Sequence, residues 1–156
     1  MTKILFILLF VFPSFFPGTG VYRSSLEGKL LSDTPFGHYI PGSLPGQTLL
    51  VLVAYGCSHC EEATKETMKL KAYTDRLLIL GSGTEEEKRM FLKNTGADCK
   101  MYDYDFSQMR TEILAADKDF PPPPVCIYIR NNVLRKVFLK IPEPARFAKI
   151  SGNTKK

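Results

Sequence analysis

Two cysteines, Cys57 and Cys60, stand three positions apart where an apolar run gives way to a polar segment. The run, residues 49–55, is typical of a strand buried on both faces, and it ends at Gly56. The residues that follow predict a helix, and positions three apart at a helix start share one face. Two thiols so arranged can close a disulfide without displacing the backbone.

A helix start also favours negative charge at Cys57, because the N–H groups and the dipole of the helix point towards that position. The thiolate, not the thiol, is the nucleophile in disulfide exchange. Protonated His59 acts in the same direction as the dipole, whereas Glu61 and Glu62 oppose it. We expect the dipole and His59 to prevail. The residues between the cysteines, Ser58 and His59, are therefore predicted to tune the redox properties of the pair.

Three kinds of site could use such a pair. A structural disulfide with only two residues between its cysteines removes little entropy from the unfolded chain and stabilises poorly. A zinc or copper site could combine the two thiolates with His59 and His38, but structural tetrahedral sites usually bring a second closely spaced pair. Dithiol–disulfide exchange uses all of the local features and is the favoured interpretation, with a non-enzymatic metal carrier as the alternative.

The other two cysteines form no such pair. Cys126 lies inside a predicted strand, and Cys99 lies at the start of another strand on the opposite side of the central one. Their Cα atoms are then too far apart for a disulfide, so we expect both to be small buried apolar residues. His38 is expected to be an exposed loop residue.

Strands and helices alternate along the rest of the chain. A capping-box pattern at Thr84 and Glu87 begins one helix, with Gly96 as its stop, and Asn131 with Asn132 predicts a tight hairpin turn. The predicted order is strand 49–55, helix 61–73, strand 77–80, helix 84–94, strand 102–106, helix 107–116, strands 125–129 and 133–139, and helix 144–150. This order predicts an α/β fold: a central mixed sheet with helices on both faces.

The length and charge of the chain limit the range of possible functions. The 156 residues suit one domain, and 21 basic against 16 acidic residues give a formal net charge of +5. The basic residues are scattered without a stripe that could follow a phosphate backbone, so nucleic-acid binding is not expected. Residues 1–20 combine a short cationic start, an apolar run and a patch of small residues, which predicts a secretory signal peptide or a short N-terminal membrane tether. Export would place the protein where disulfides form and persist.

Several of these features together resemble the thioredoxin superfamily. They are Leu-Pro-Gly-Gln at 44–47, the strand 49–55, the Cys-Ser-His-Cys motif at 57–60, and Pro124 opening a strand that leads to the 131–132 hairpin. Within that superfamily the chain resembles the exported TlpA-like thiol–disulfide oxidoreductases, whose helix–strand insertion is matched by residues 84–106. The resemblance covers residues 33–150.

The resemblance implies a thioredoxin-like domain over those residues, in a bacterial periplasmic or extracellular protein. Its partners would be protein thiols or disulfides and a redox partner protein, and it would use no cofactor beyond its own disulfide. Cys57 would be the attacking thiol, Cys60 the resolving thiol and Pro124 a cis-proline. The backbone of Pro123 or Val125 would then bind an extended substrate segment.

Some positions depart from the superfamily pattern. Gly56 stands where an aromatic residue often precedes the first cysteine, and Val51 stands where thioredoxins carry a buried acid. His59 occupies the position it has in strongly oxidising DsbA-type enzymes, whereas the TlpA-like scaffold is associated with reductases. The sequence therefore leaves the direction of exchange open.

Overall fold

The computed structural model describes residues 22–153. A five-stranded sheet contains β1 (Gln47–Ala54), β2 (Arg76–Ser82), β3 (Lys100–Asp103), β4 (Val125–Arg130) and β5 (Val133–Phe138), in the order β3-β2-β1-β4-β5. β1, β2 and β3 run parallel, while β4 is antiparallel to both β1 and β5. The helices are α1 (Ser58–Met68), α2 (Glu85–Thr95), α3 (Phe106–Ala116) and α4 (Pro144–Ser151). The predicted mixed α/β sheet is confirmed.

β1 is the central strand, and every one of its residues except the last is buried. One face of the sheet packs against α1, α2 and α4, which contribute Cys60, Phe91 and Phe147 to that layer of the core. The other face packs against α3 and the segment before β1, through side chains such as Met109 and Leu26. A continuous apolar run fits β1 because both of its faces exclude water.

The predicted helix cap, helix stop and hairpin turn are confirmed. Thr84 and Glu87 form a reciprocal capping box at the start of α2, and Gly96 ends that helix in the left-handed conformation. Asn131 and Asn132 have φ angles of 49° and 64°, as a tight hairpin turn requires.

The expected strand at residues 102–106 is wrong at its C-terminal end. β3 stops at Asp103, and Phe106 is already the first residue of α3. The side chain of Asp105 accepts a hydrogen bond from the Gln108 N–H, so the chain enters a helix where the alternating pattern suggested more strand. Tyr104 consequently turns into the core instead of extending the edge of the sheet.

The helix expected at residues 61–73 is also shifted. α1 begins at Ser58 and ends at Met68, and a separate 3₁₀ turn covers Lys71–Tyr73. The buried face of α1 consists of Cys60, Thr64 and Thr67, not of its aliphatic residues. Each threonine hydroxyl donates to a carbonyl four residues earlier, which satisfies a polar group that burial would otherwise penalise.

The segment before the expected domain start at residue 33 packs against the sheet as well. Leu26 is fully buried, and Leu30 forms an isolated antiparallel bridge to Val133 at the edge strand β5. The predicted signal peptide at residues 1–20 lies outside the described residues. Within residues 22–153, no helix is long and apolar enough to cross a membrane.

Candidate redox site

The cysteine pair lies at the C-terminal end of the central strand. β1 ends at Ala54, and Cys57 is the N-cap of α1, with an extended backbone at φ −107° and ψ 117°. The carbonyl of Cys57 accepts hydrogen bonds from the N–H groups of Cys60 and Glu61, at 3.0 and 3.1 Å, which fixes the first turn of the helix. The strand-to-helix junction predicted from the sequence is therefore present.

The two thiols have different environments. Cys57 is half-buried, whereas Cys60 is fully buried. The Cys60 Sγ accepts a hydrogen bond from the Ala54 N–H at 3.3 Å and forms a side-chain hydrogen bond with Cys57. Burial raises the pKa of Cys60 to about 12, and its contact with Cys57 adds to that effect, while the Ala54 N–H acts in the opposite direction. Cys60 is therefore a protonated thiol at neutral pH, and Cys57 is the sulfur of the pair that solvent reaches.

The residues between the cysteines are open to solvent. Ser58 and His59 are both exposed on the first turn of α1. The Glu61 Oε1 atom accepts a hydrogen bond from the side-chain amide of Asn94 in α2 at 2.9 Å. The proposed tuning roles of Ser58 and His59 stay predictions.

The proline loop lies at the same edge of the sheet as the cysteines. Val125, the first residue of β4, pairs with Leu52 near the end of β1. The peptide bond between Pro123 and Pro124 is cis, as the resemblance implied. Both prolines are half-buried, while the Val125 side chain is fully buried. The loop thus places two half-buried prolines next to the strand that carries the redox turn, and its role in substrate binding stays a prediction.

The chain has known structural neighbours, although no protein-family model and no curated protein sequence matches it. The solution structure of a thiol:disulfide interchange protein from Bacteroides sp. superposes with a TM-score of 0.58 at 13% identity, covering 85% of this chain and 95% of the other. The thioredoxin domain of a thiol-disulfide oxidoreductase from Bacteroides vulgatus gives a TM-score of 0.54 at 12% identity, over 67% and 77% of the two chains. A thioredoxin-related protein from Neisseria meningitidis serogroup B gives 0.53 at 14% identity, over 72% and 90%. The chain has the thioredoxin fold.

Gly56, which departs from the usual thioredoxin pattern, has a structural explanation. A Cβ atom added at this glycine would lie 2.9 Å from the Glu87 Oε1 atom and 3.4 Å from its carboxyl carbon. Glu87 is held in place because its other carboxylate oxygen accepts the Thr84 N–H of the capping box. Any side chain at position 56 would therefore require the Glu87 carboxylate of α2 to shift.

A hydrogen-bond network beside the redox turn was not predicted from the sequence. The hydroxyl of Tyr55, two residues before Cys57, donates to the Asp103 Oδ1 atom at 2.6 Å, and the Lys88 ammonium lies 2.6 Å from the Asp103 Oδ2 atom. Burial opposes ionisation of Asp103, but these two donors outweigh it, so the pKa of this carboxyl is lowered. The network ties the end of β1 to α2 and β3. Its members are 33 and 48 residues from Tyr55, so no local pattern could reveal it.

The remaining cysteines and His38 lie away from the pair. Cys126 in β4 is fully buried, and burial raises its pKa to about 12, whereas Cys99 before β3 is only half-buried. In the sheet, β1 and β2 lie between β4, which contains Cys126, and β3, which follows Cys99, so the two cysteines are on opposite sides of the central strand as expected. His38 is largely exposed, and its Nδ1 atom lies 3.1 Å from a carboxylate oxygen of Glu112 in α3. Within residues 22–153, no three His, Cys, Asp or Glu side chains come together in a way that could hold a metal ion.

Proposed function

We propose that this protein is a thiol–disulfide oxidoreductase that acts on other proteins through Cys57 and Cys60. The proposal rests on the asymmetry of the pair. Cys57, at the N-cap of α1, is reached by solvent, and it is hydrogen-bonded to Cys60, a buried thiol that keeps its proton at neutral pH. Only the accessible sulfur can meet a visiting protein, and the buried one is close enough to complete the exchange.

In the reducing direction, the Cys57 thiolate attacks one sulfur of a substrate disulfide. A mixed disulfide forms, and the other substrate sulfur leaves as a thiolate and takes up a proton. Cys60 then loses its proton and attacks the Cys57 sulfur, which releases the second substrate thiolate and leaves a Cys57–Cys60 disulfide. The substrate has gained two electrons and the pair has lost two. A reduced dithiol partner protein restores the pair, and the oxidising direction is the same sequence reversed.

The roles of the proline loop and of the residues between the cysteines follow from their positions beside the redox pair. Pro123, Pro124 and the backbone of Val125 would bind an extended segment of the substrate, because they lie at the sheet edge where β1 leads into the redox turn. Ser58 and His59 would tune the pair from the exposed first turn of α1. We further propose that the protein works after export, in the periplasm or outside the cell, with residues 1–20 as signal peptide or membrane tether.

Reduction of insulin disulfides by dithiothreitol, with and without the protein, tests the proposal. Cys57→Ser should abolish the acceleration, and Cys60→Ser should accumulate a mixed disulfide that mass spectrometry locates at Cys57. Cys99→Ser is the matched control, because that half-buried thiol lies before β3 and outside the pair, and it should retain activity. Full activity of Cys57→Ser would contradict the proposal. Zinc or copper bound stoichiometrically to an inactive reduced protein would favour the metal carrier instead.

A further inference from the structure

One peptide group links a tyrosine on one face of the sheet to a cysteine on the other. The Tyr104 hydroxyl donates a hydrogen bond to the carbonyl oxygen of Val53 at 3.1 Å. The N–H of Ala54, which belongs to the same peptide group as that carbonyl, donates to the Cys60 Sγ atom at 3.3 Å. In a trans peptide the C=O and N–H point in opposite directions, so these bonds form a continuous chain from Tyr104 to Cys60.

Hydrogen bonds in such a chain reinforce one another. A donor on the carbonyl oxygen withdraws electron density through the amide and makes its N–H a stronger donor, an effect of about 10–30% per bond. The hydrogen bond from Tyr104 to Val53 is buried, and the bond from the half-buried Ala54 to the fully buried Cys60 is partly buried. In a medium of low dielectric constant this polarisation is not screened as it would be at the surface.

The Ala54 N–H has few competitors in setting the ionisation of Cys60. Two titratable groups interact with the thiol, namely Cys57 from the turn before α1 and Tyr104 from the segment after β3. Glu61, the next residue on the same helix, has its carboxylate hydrogen-bonded to the Asn94 side chain. Val51 occupies the position at which thioredoxins carry an acid, and its side chain is apolar and fully buried. The N–H of Ala54 is the group that favours a thiolate at Cys60.

We infer that Tyr104 is a positioning residue of the redox site, which stabilises the Cys60 thiolate through the Val53–Ala54 peptide group. The thiolate is needed when Cys60 attacks the mixed disulfide at Cys57, so Tyr104 would shorten the lifetime of that intermediate. This consequence rests on the proposed function, whereas the effect on the ionisation of Cys60 does not.

Nuclear magnetic resonance of the reduced protein tests the inference directly. Tyr104→Phe retains the ring but loses the hydroxyl, so the Ala54 amide proton should move upfield as its hydrogen bond weakens. If 10–30% of a charge-assisted bond of about 1.5–3 kcal/mol is lost, the ionisation constant of Cys60 should fall by roughly 1.3- to 4.6-fold, and titration between about pH 10 and pH 13 should show a smaller fraction of Cys60 present as thiolate at each pH. The ¹³Cβ shift of Cys60, measured in a Cys57→Ser background, reports that fraction. Tyr102→Phe is the matched control, because this half-buried tyrosine lies on β3 outside the chain.

Unchanged Ala54 and Cys60 signals in Tyr104→Phe, relative to the control, would overturn the inference. A purely structural role would loosen the site, admit water and increase the thiolate fraction, which is the opposite sign. The lifetime of the mixed disulfide in the protein with both cysteines gives the separate functional readout. If no mixed disulfide forms in either protein while the two signals shift as expected, the proposed function fails and the hydrogen-bond chain stands.

Discussion

The buried thiol of Cys60 should make the reduced protein lose stability at alkaline pH. The pKa of this thiol is raised to about 12, whereas its ordinary value is 9.0. Between these two values the unfolded chain loses the proton and the folded chain keeps it, so the folded state binds more protons and stability falls as the pH rises. Below about pH 9 the contribution is fully present.

The size of the loss follows from the same values. One pH unit above the ordinary pKa corresponds to about 1.4 kcal/mol, so by pH 10 the Cys60 thiol alone removes on the order of 1 kcal/mol from the free energy of unfolding. Urea unfolding of the reduced protein and of Cys60→Ala, at pH 8 and pH 10, isolates this thiol from other titrating groups. The stability of wild-type protein should fall by about 1 kcal/mol more than that of the variant.

Cys126→Ala provides a matched comparison, because burial also raises the pKa of that thiol to about 12. Both variants should therefore flatten the alkaline decline to a similar extent. If the stability of Cys60→Ala declined with pH as steeply as that of the wild type, Cys60 would not be protonated and buried as described, and the asymmetry of the pair would be refuted.

Two further predictions concern the surroundings of the redox turn. Gly56→Ala should lower the free energy of unfolding by about 0.5–1 kcal/mol, because the Glu87 carboxylate must shift away from the new Cβ atom. The same substitution should cost less in a Glu87→Ala background, when each loss is measured against its own parent. Equal losses in the two backgrounds would contradict this contact. Tyr55→Phe should cost about 1–2 kcal/mol in urea unfolding at neutral pH. The pKa of Asp103 is lowered from its ordinary value of 3.8, so the cost should decrease progressively as the pH falls below that value and the carboxylate is protonated. A cost independent of pH would show that the hydroxyl does not depend on the carboxylate.

Much of the fold could be predicted because its signals are local. The capping box at Thr84 needs only residues three apart, and the hairpin turn needs two adjacent asparagines that tolerate positive φ. The order of strands and helices was enough to predict a mixed sheet, and the position of Cys57 and Cys60 at a strand–helix junction followed from composition on either side of Gly56.

The errors arose where distant contacts override a local pattern. Alternation predicted that Tyr104 continues a strand, but its ring packs into the core, and its hydroxyl finds the Val53 carbonyl 51 residues away. Thr64 and Thr67 lie on the buried face of α1, although a hydrophobicity pattern treats threonine as polar. Burial is tolerated because each hydroxyl donates a hydrogen bond to a carbonyl of the same helix. The network at Tyr55 depends on Asp103 in another strand, so it required the fold before it could be recognised.

A redox titration shows whether Cys57 and Cys60 form a reversible disulfide. The purified protein is equilibrated with mixtures of reduced and oxidised glutathione, its free thiols are blocked, and digestion with mass spectrometry identifies which cysteines are joined. We expect a reversible two-electron transition confined to Cys57 and Cys60, with a midpoint near −270 mV or lower for a reductase and nearer −120 mV for an oxidase. Both cysteines staying as free thiols throughout, or a disulfide formed by Cys99 or Cys126 instead, would contradict it.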